Sequence, residues 1–258
     1  MIKATDLNIT EKRIHALLCA RSGHGKSEAA KSFPKPMYWI CTDNRLAALQ
    51  GVEGIIIDIF DPKKGFGDIE KAIETNILNK IGPNFPWKTV VYAGISKTIR
   101  ALRVDSLKYI DSTGEGDKSK GAMRYGNLTI PGTRNHLYVS EAMHQLFENG
   151  LSRIPCHFLC EAHIVNSYDA KGDVDGRKLL ATDKLAETIP GDFDEMWEFG
   201  TKQSVIESAP TKYVVKFHST IARSAIIKNR REIEWTDKDF YNDILLRVIE
   251  SERVKKVA

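Results

Sequence analysis

Short apolar runs alternate with amphipathic stretches along the chain, and this alternation predicts an α/β fold with a mainly parallel sheet. His15–Ala20 reads as the first strand, and a helix follows over Lys26–Phe33, stopped by Pro34 and Pro36. Met37–Cys41 and the isoleucine-rich Gly54–Ile59 predict the next two strands. Asp68–Lys80 is helical in pattern and ends at Gly82-Pro83. Thr89–Tyr92 predicts a short buried strand, and Ser96–Ile110 a helix. Ser112–Gly132 is polar, glycine-rich and without a core pattern, so it reads as a loop excursion. Tyr138–Asn149 collects Val139, Met143, Leu146 and Phe147 on one helical face. Pro155–Val165 is apolar enough to be an interior strand, and Asp175-Gly176 reads as a hairpin turn. Met196–Phe199 and Tyr213–His218 predict antiparallel strands added late, before a closing helix over 237–254.

The 258 residues suit one α/β domain, with its core over about 12–231 and the closing helix after it. No run approaches the roughly 20 apolar residues of a membrane span, and no signal peptide opens the chain, so a cytoplasmic protein is expected. Cys19, Cys41, Cys156 and Cys160 sit in or beside apolar strands without metal-ligand spacing, and are expected to be buried free thiols. Asp169–Gly176 resembles a calcium loop only in its acids. Lys171 occupies a ligand position and Thr182 stands where a bidentate Glu belongs, so no metal is assigned there.

The chemistry concentrates after the first strand. Ala20-Arg21-Ser22-Gly23-His24-Gly25-Lys26-Ser27 follows an apolar run and leads into Glu28-Ala29-Ala30-Lys31, a helix former. Strand, glycine-rich turn and Lys-Ser opening a helix together make a P-loop. Glycines let backbone N–H groups converge on phosphate oxygens, which nominates Ser22, Gly23, His24, Gly25, Lys26, Ser27 and Glu28 as the triphosphate cradle. Lys26 would neutralise phosphate charge, and the Ser27 hydroxyl would ligate Mg²⁺. Ala20 replaces the motif's usual first glycine.

A P-loop ATPase also needs an acid to hold the metal's water shell. It is expected where Trp87–Tyr92 ends, but Ala93 stands there. Asp105 is the alternative, in a charged stretch better suited to a helix than to a buried strand. Asp43, just past the second strand, sits where ligands collect in open α/β sheets and could activate or orient water. In Cys160-Glu161-Ala162-His163 a strand breaks into ionisable groups at its carboxyl end, where a γ-phosphate sensor would belong.

With these residues the chain resembles the RecA-like P-loop ATPases carried by phages, a group linked to single-strand annealing and recombination. The resemblance covers roughly residues 12–231. It rests on Gly23–Ser27, on Ile40-Cys41-Thr42-Asp43, on His157–His163, and on Lys184–Glu195, which is similar to the segment entering the family's late strands. It implies side-by-side assembly into a ring or filament, ATP and Mg²⁺ at a subunit boundary, and single-stranded DNA as partner. It also implies Lys26 and Asp43 as catalytic residues, His163 as sensor, and Lys228 and Arg230 as cations donated across the boundary. Lys97, Arg100, Arg103, Lys118, Lys120 and Arg124, with tyrosines interleaved, are the candidate DNA contacts, although a solvated helix and loop would look the same. A net charge of +4 is too small to settle that point. Three alternatives stay open: an ATP-gated binding module without turnover, another phage motor such as a packaging ATPase, and a small-molecule kinase.

Overall fold

The structure is a computed structural model that describes residues 13–43, 46–113, 123–125, 128–169, 171–202, 212–219, 232–235 and 239–254. In chain order the first half comprises β1 (His15–Ala20), α1 (Lys26–Ala30), β2 (Met37–Cys41), β3 (Ile55–Ile59), α2 (Gly67–Asn76), β4 (Thr89–Ala93) and α3 (Ile95–Thr113). Then come β5 (Met123–Tyr125), β6 (Leu128–Ile130), α4 (Thr133–His144), β7 (His157–Tyr168) and β8 (Val174–Leu179). The chain continues through α5 (Asp183–Thr188), β9 (Glu195–Lys202), β10 (Lys212–Ser219), β11 (Glu232–Trp235) and α6 (Leu246–Val254).

The main sheet runs β11-β10-β9-β1-β7-β4-β2-β3, with β8 paired to the far half of β7. From β9 to β3 every pairing is parallel; β8 and β10 run against the rest, and β11, antiparallel to β10, returns to the common direction. The expected α/β arrangement is therefore met: the P-loop strand lies inside a mainly parallel sheet, and antiparallel pairings follow late.

Period-two alternation divides the strand side chains between two cores. Leu17, Cys19, Tyr38, Ile40, Val90, Tyr92, Phe158 and Cys160 face α2, α3 and α4. Ala16, Leu18, Trp39, Cys41, Val91, Ala93 and Leu159 face the other way, with Ala29 and Ala30 of α1 and Leu245 and Val248 at the C-terminal end. Burial on both faces explains why these strands read as continuous apolar runs rather than alternating ones. All four cysteines are buried and free. Among the described residues no helix is long and apolar enough to cross a membrane.

Several boundaries differ from the expected ones. The P-loop helix stops at Ala30, because Ser32 and Phe33 bond back to Ala29 and Ala30 in a tightened turn. The fourth helix begins at Thr133 and passes into a π-helical turn over Gln145–Gly150. The closing helix is likewise a π turn, Phe240–Leu245, followed by α6, and Asp239 caps it by accepting from Asn242 N at 3.0 Å. The polar stretch expected as a loop contains the antiparallel pair β5–β6. Gly176 lies within β8, and the hairpin turn comes earlier, at Asp169–Asp173. There the Asp169 carboxylate accepts from the backbone N–H of Lys171 (2.8 Å) and Asp173 (2.9 Å), an Asx arrangement that outcompetes the Asp-Gly signal.

At the amino ends of the strands, His157 Nδ1 accepts from Ile14 N at 3.2 Å, and its ring meets Phe33 and Tyr241 edge-on. Burial, with His15 adding to it, pushes the His157 imidazole down to about 4. The folded protein thus holds His157 neutral where the unfolded chain, with a pKa of about 6.5, already takes up a proton. Stability contributed by this group is fully present above about pH 6.5 and is lost as pH falls toward 4, by up to about 3 kcal/mol. Urea midpoints at about pH 7 and about pH 5 should therefore diverge, and His157→Gln should narrow the gap. An unchanged gap would assign the titration to another group.

Candidate nucleotide site

β1 ends at Ala20, and the chain turns through Arg21–Gly25 before α1 opens at Lys26. Gly25 has φ +88°, and a Cβ there would lie 2.8 Å from Tyr213 Cδ1, so both conformation and space require glycine. Lys26 is buried, and its Nζ donates to the carbonyls of Ala20 (3.4 Å) and Arg21 (3.3 Å), tying the loop's start to its end. Ala20 itself is fully buried and pairs with His163 in the sheet, a position for a small residue. The His24 imidazole is held below its ordinary pKa by burial and then by Lys26. Glu28 forms an ion pair with Lys31 one turn on.

The acid missing at Ala93 has a counterpart one strand away. In the β4–β7 register Ala93 lies opposite Glu161, and in the β1–β7 register Ala20 lies opposite His163. Leu159 faces the α1 core, so period two brings Glu161 and His163 to the same face of β7, beside the carboxyl ends of β4 and β1. There the Ser27 hydroxyl donates to Glu161 Oε2 at 3.0 Å. Oε1 of the same carboxylate is buried and has no hydrogen-bond partner. Burial pushes the Glu161 carboxyl up to about 7, against the pull of Lys26 and the Ser27 hydrogen bond, with Asp43 adding to the rise.

Asp43 is positioned by the junction of β2 and β4. The Thr42 hydroxyl lies 3.1 Å from the carbonyl of Ala93 and 2.8 Å from that of Gly94. Gly94 has φ +103°, and a Cβ there would sit 2.3 Å from Thr42 Oγ1, so nothing larger fits. Beyond this clasp Asp43 Oδ2 is 3.4 Å from His163 Nε2. Burial and then Lys26 hold His163 below its ordinary pKa, while its contact with Asp43 pulls the other way.

These groups surround one cleft of about 310 Å³, which Ser22 to Glu28, Asp43, Ala93, Glu161 and His163 all line. Lys26, Ser27, Asp43 and His163 are thus brought together as the sequence reading expects. Asp105 is not among them. It lies on α3, where Oδ2 accepts from Phe66 N at 2.5 Å and Oδ1 from Lys108 at 3.4 Å, closing the Gly65-Phe66 turn instead. Sequence reasoning missed the contact of Glu161 with Ser27 and the clasp made by Thr42. The signal for Glu161 was present, a carboxylate ending an apolar strand, but its neighbour across the sheet was not. Lys97 and Arg103 are half-buried and Arg100 is exposed on α3. Arg124 falls in β5, where only the backbone is described, and Lys118, Lys120, Lys228 and Arg230 lie outside the described residues.

No family profile matches the chain, and no curated sequence matches it. Among solved structures it is similar to the flagellar accessory protein FlaH from Methanocaldococcus jannaschii, with a TM-score of 0.42 and 9% identity over 92% of each chain. A likeness this loose carries no argument about function, which is left to the chemistry of the cleft.

Gly25→Ala tests the loop geometry directly. The left-handed backbone costs about 1–2 kcal/mol for alanine, before the collision with Tyr213 is counted. Calorimetry should show a lowered melting temperature and loss of triphosphate binding, and wild-type values for both would refute this account of the loop.

Proposed function

We propose that this chain binds ATP with Mg²⁺ and hydrolyses it as a RecA-like ATPase, with Glu161 serving in place of the acid absent at Ala93. The observation that carries this reading is the Ser27–Glu161 hydrogen bond beside the P-loop. The fit of Mg²⁺ is judged on Glu161 Oε1, a buried carboxylate oxygen without a partner, which suits a cation's bound water. Ser27 would hold the ion and Glu161 its water shell. Among the described residues no set of three or more His, Cys, Asp or Glu could hold a metal without the nucleotide, in keeping with an ion shared with phosphates. When bound, Mg²⁺ supplies charge neutralisation at the phosphate oxygens.

The chain's own residues do the rest. Lys26 exchanges its loop carbonyls for phosphate oxygens. Asp43 accepts a proton from the attacking water, and His163, 3.4 Å away, keeps that carboxylate oriented. Glu161→Gln should lower the turnover number about 10- to 100-fold while leaving ATP affinity nearly intact. Ala93→Asp should not raise turnover, because its strand partner already provides the carboxylate. An active Glu161→Gln variant, or an inactive wild type revived by Ala93→Asp, would return the metal role to β4. A wild type that binds ATP and never turns it over would favour the gated binding module.

Within this reading the chain serves phage DNA recombination or single-strand annealing, as a side-by-side homo-oligomer on single-stranded DNA. Support comes from the sequence resemblance and from Lys97, which lines a groove with Arg21 that opens beside Asp43 and His163. Single-stranded DNA should then bind with an affinity that falls steeply with salt, and Lys97→Glu with Arg100→Glu should weaken it. Salt-independent binding, or none, would remove DNA from the proposal.

A further inference from the structure

The phosphate end of the cleft is accounted for by the P-loop, whereas nothing so far receives the nucleoside. Ligands gather at the carboxyl ends of parallel strands, so a nucleoside beside the P-loop would lie at that edge of the sheet. β10 runs antiparallel to β9, with Tyr213 opposite Thr201 near the carboxyl end of β9. β11 runs antiparallel to β10, with Trp235 opposite Tyr213. Two reversals of direction thus return two aromatic residues to the ligand edge, immediately beside the P-loop.

The contacts are close. Tyr213 is half-buried and lines the same cleft as Gly25, Lys26 and Glu28. Its ring edge abuts Gly25, and Trp235 lies behind it with ring centroids 4.9 Å apart and planes inclined by 30°. Trp235 is 5% exposed, its Cζ2 is 3.3 Å from the Cβ position of Gly25, and its indole Nε1 is buried without a hydrogen-bond partner. A ring held by a second ring at its back and a glycine at its edge is rigid, and its remaining surface belongs to the cleft. Rigid aromatic faces are where nucleobases stack, because every base has a π-face and little entropy is lost.

We propose that Tyr213, backed by Trp235, is the platform on which the nucleotide's base stacks, so that the site selects nucleosides by ring area and takes purine triphosphates best. The proposal rests on the P-loop reading, and it extends the site from phosphate to base. The side of Gly25 that excludes a Cβ is then shared between two tasks, shaping the phosphate loop and seating the tyrosine.

The test separates base from phosphate. Titration calorimetry of the full chain with Mg²⁺ would compare ATP, CTP and inorganic tripolyphosphate on the wild type, Tyr213→Leu and Tyr213→Phe. Loss of one stacking contact corresponds to roughly 5- to 150-fold in affinity. Tyr213→Leu should weaken ATP by that much, weaken CTP less, and leave tripolyphosphate within about 2-fold, while Tyr213→Phe should bind ATP as the wild type does. Equal weakening of ATP and tripolyphosphate by Tyr213→Leu would mean that the tyrosine only props the loop, and would overturn the platform while sparing the P-loop reading. Unchanged ATP affinity in Tyr213→Leu would overturn it as well. A wild type that binds neither ATP nor tripolyphosphate would overturn both readings.

Discussion

The hydrogen-bonded register among β1, β7 and β4 is the constraint from which the site follows. Because the three strands are parallel and in fixed register, β4 ends at Ala93 level with Glu161 and β1 ends at Ala20 level with His163, two residues further along β7. A slip of one residue in β7 would turn Glu161 and His163 to the opposite face and bring Cys160 and Ala162 to the phosphate loop. The apolar residues Phe158 and Leu159, each committed to a different core, prevent that slip. Packing at the start of β7 therefore determines which chemical groups face the phosphate loop further along it.

The cleft also shows how a buried carboxylate can be held ready. Glu161 is 7% exposed, takes one hydrogen bond from Ser27, and keeps one oxygen without a partner. Such a group is unfavourable for stability, and burial raises its pKa accordingly. Its neighbours only partly offset the problem: Lys26 and Ser27 pull the pKa down, but burial outweighs them and Asp43 adds negative charge. A local deficit of this kind suits a site completed by a cation arriving with its ligand, since fold stability is given up where binding recovers it.

What could be read in the sequence was local. The P-loop spans eight consecutive residues from Ala20 to Ser27, and its strand and helix flank it directly, so motif and context were visible together. The gap at Ala93 was visible for the same reason. Glu161 was visible as a carboxylate but not as a partner of Ser27, because the lateral order of parallel strands depends on crossovers that leave no mark in spacing. Tyr213 faced the same obstacle, since its place beside Gly25 follows from two antiparallel pairings late in the chain. Asp175-Gly176 misled for a different reason: a strong turn signal was displaced by the Asp169 carboxylate, which bonds the backbone of the actual turn. The π turns after α4 and before α6 left no pattern distinguishable from ordinary helix.

The position of β1 has a consequence for the order in which the molecule can be made. β1 pairs with β7 on one side and β9 on the other, and α1 is secured when Tyr241 N donates to Ser32 Oγ at 2.9 Å. A ribosome releases the phosphate loop long before its flanking strands and the clamp on its helix. During that interval β1 is an apolar segment without neighbours, the kind of exposure that invites chaperones and slows folding. The nascent chain therefore carries its most recognisable motif through the synthesis of the long stretch from β1 to β9 before that motif can grip anything.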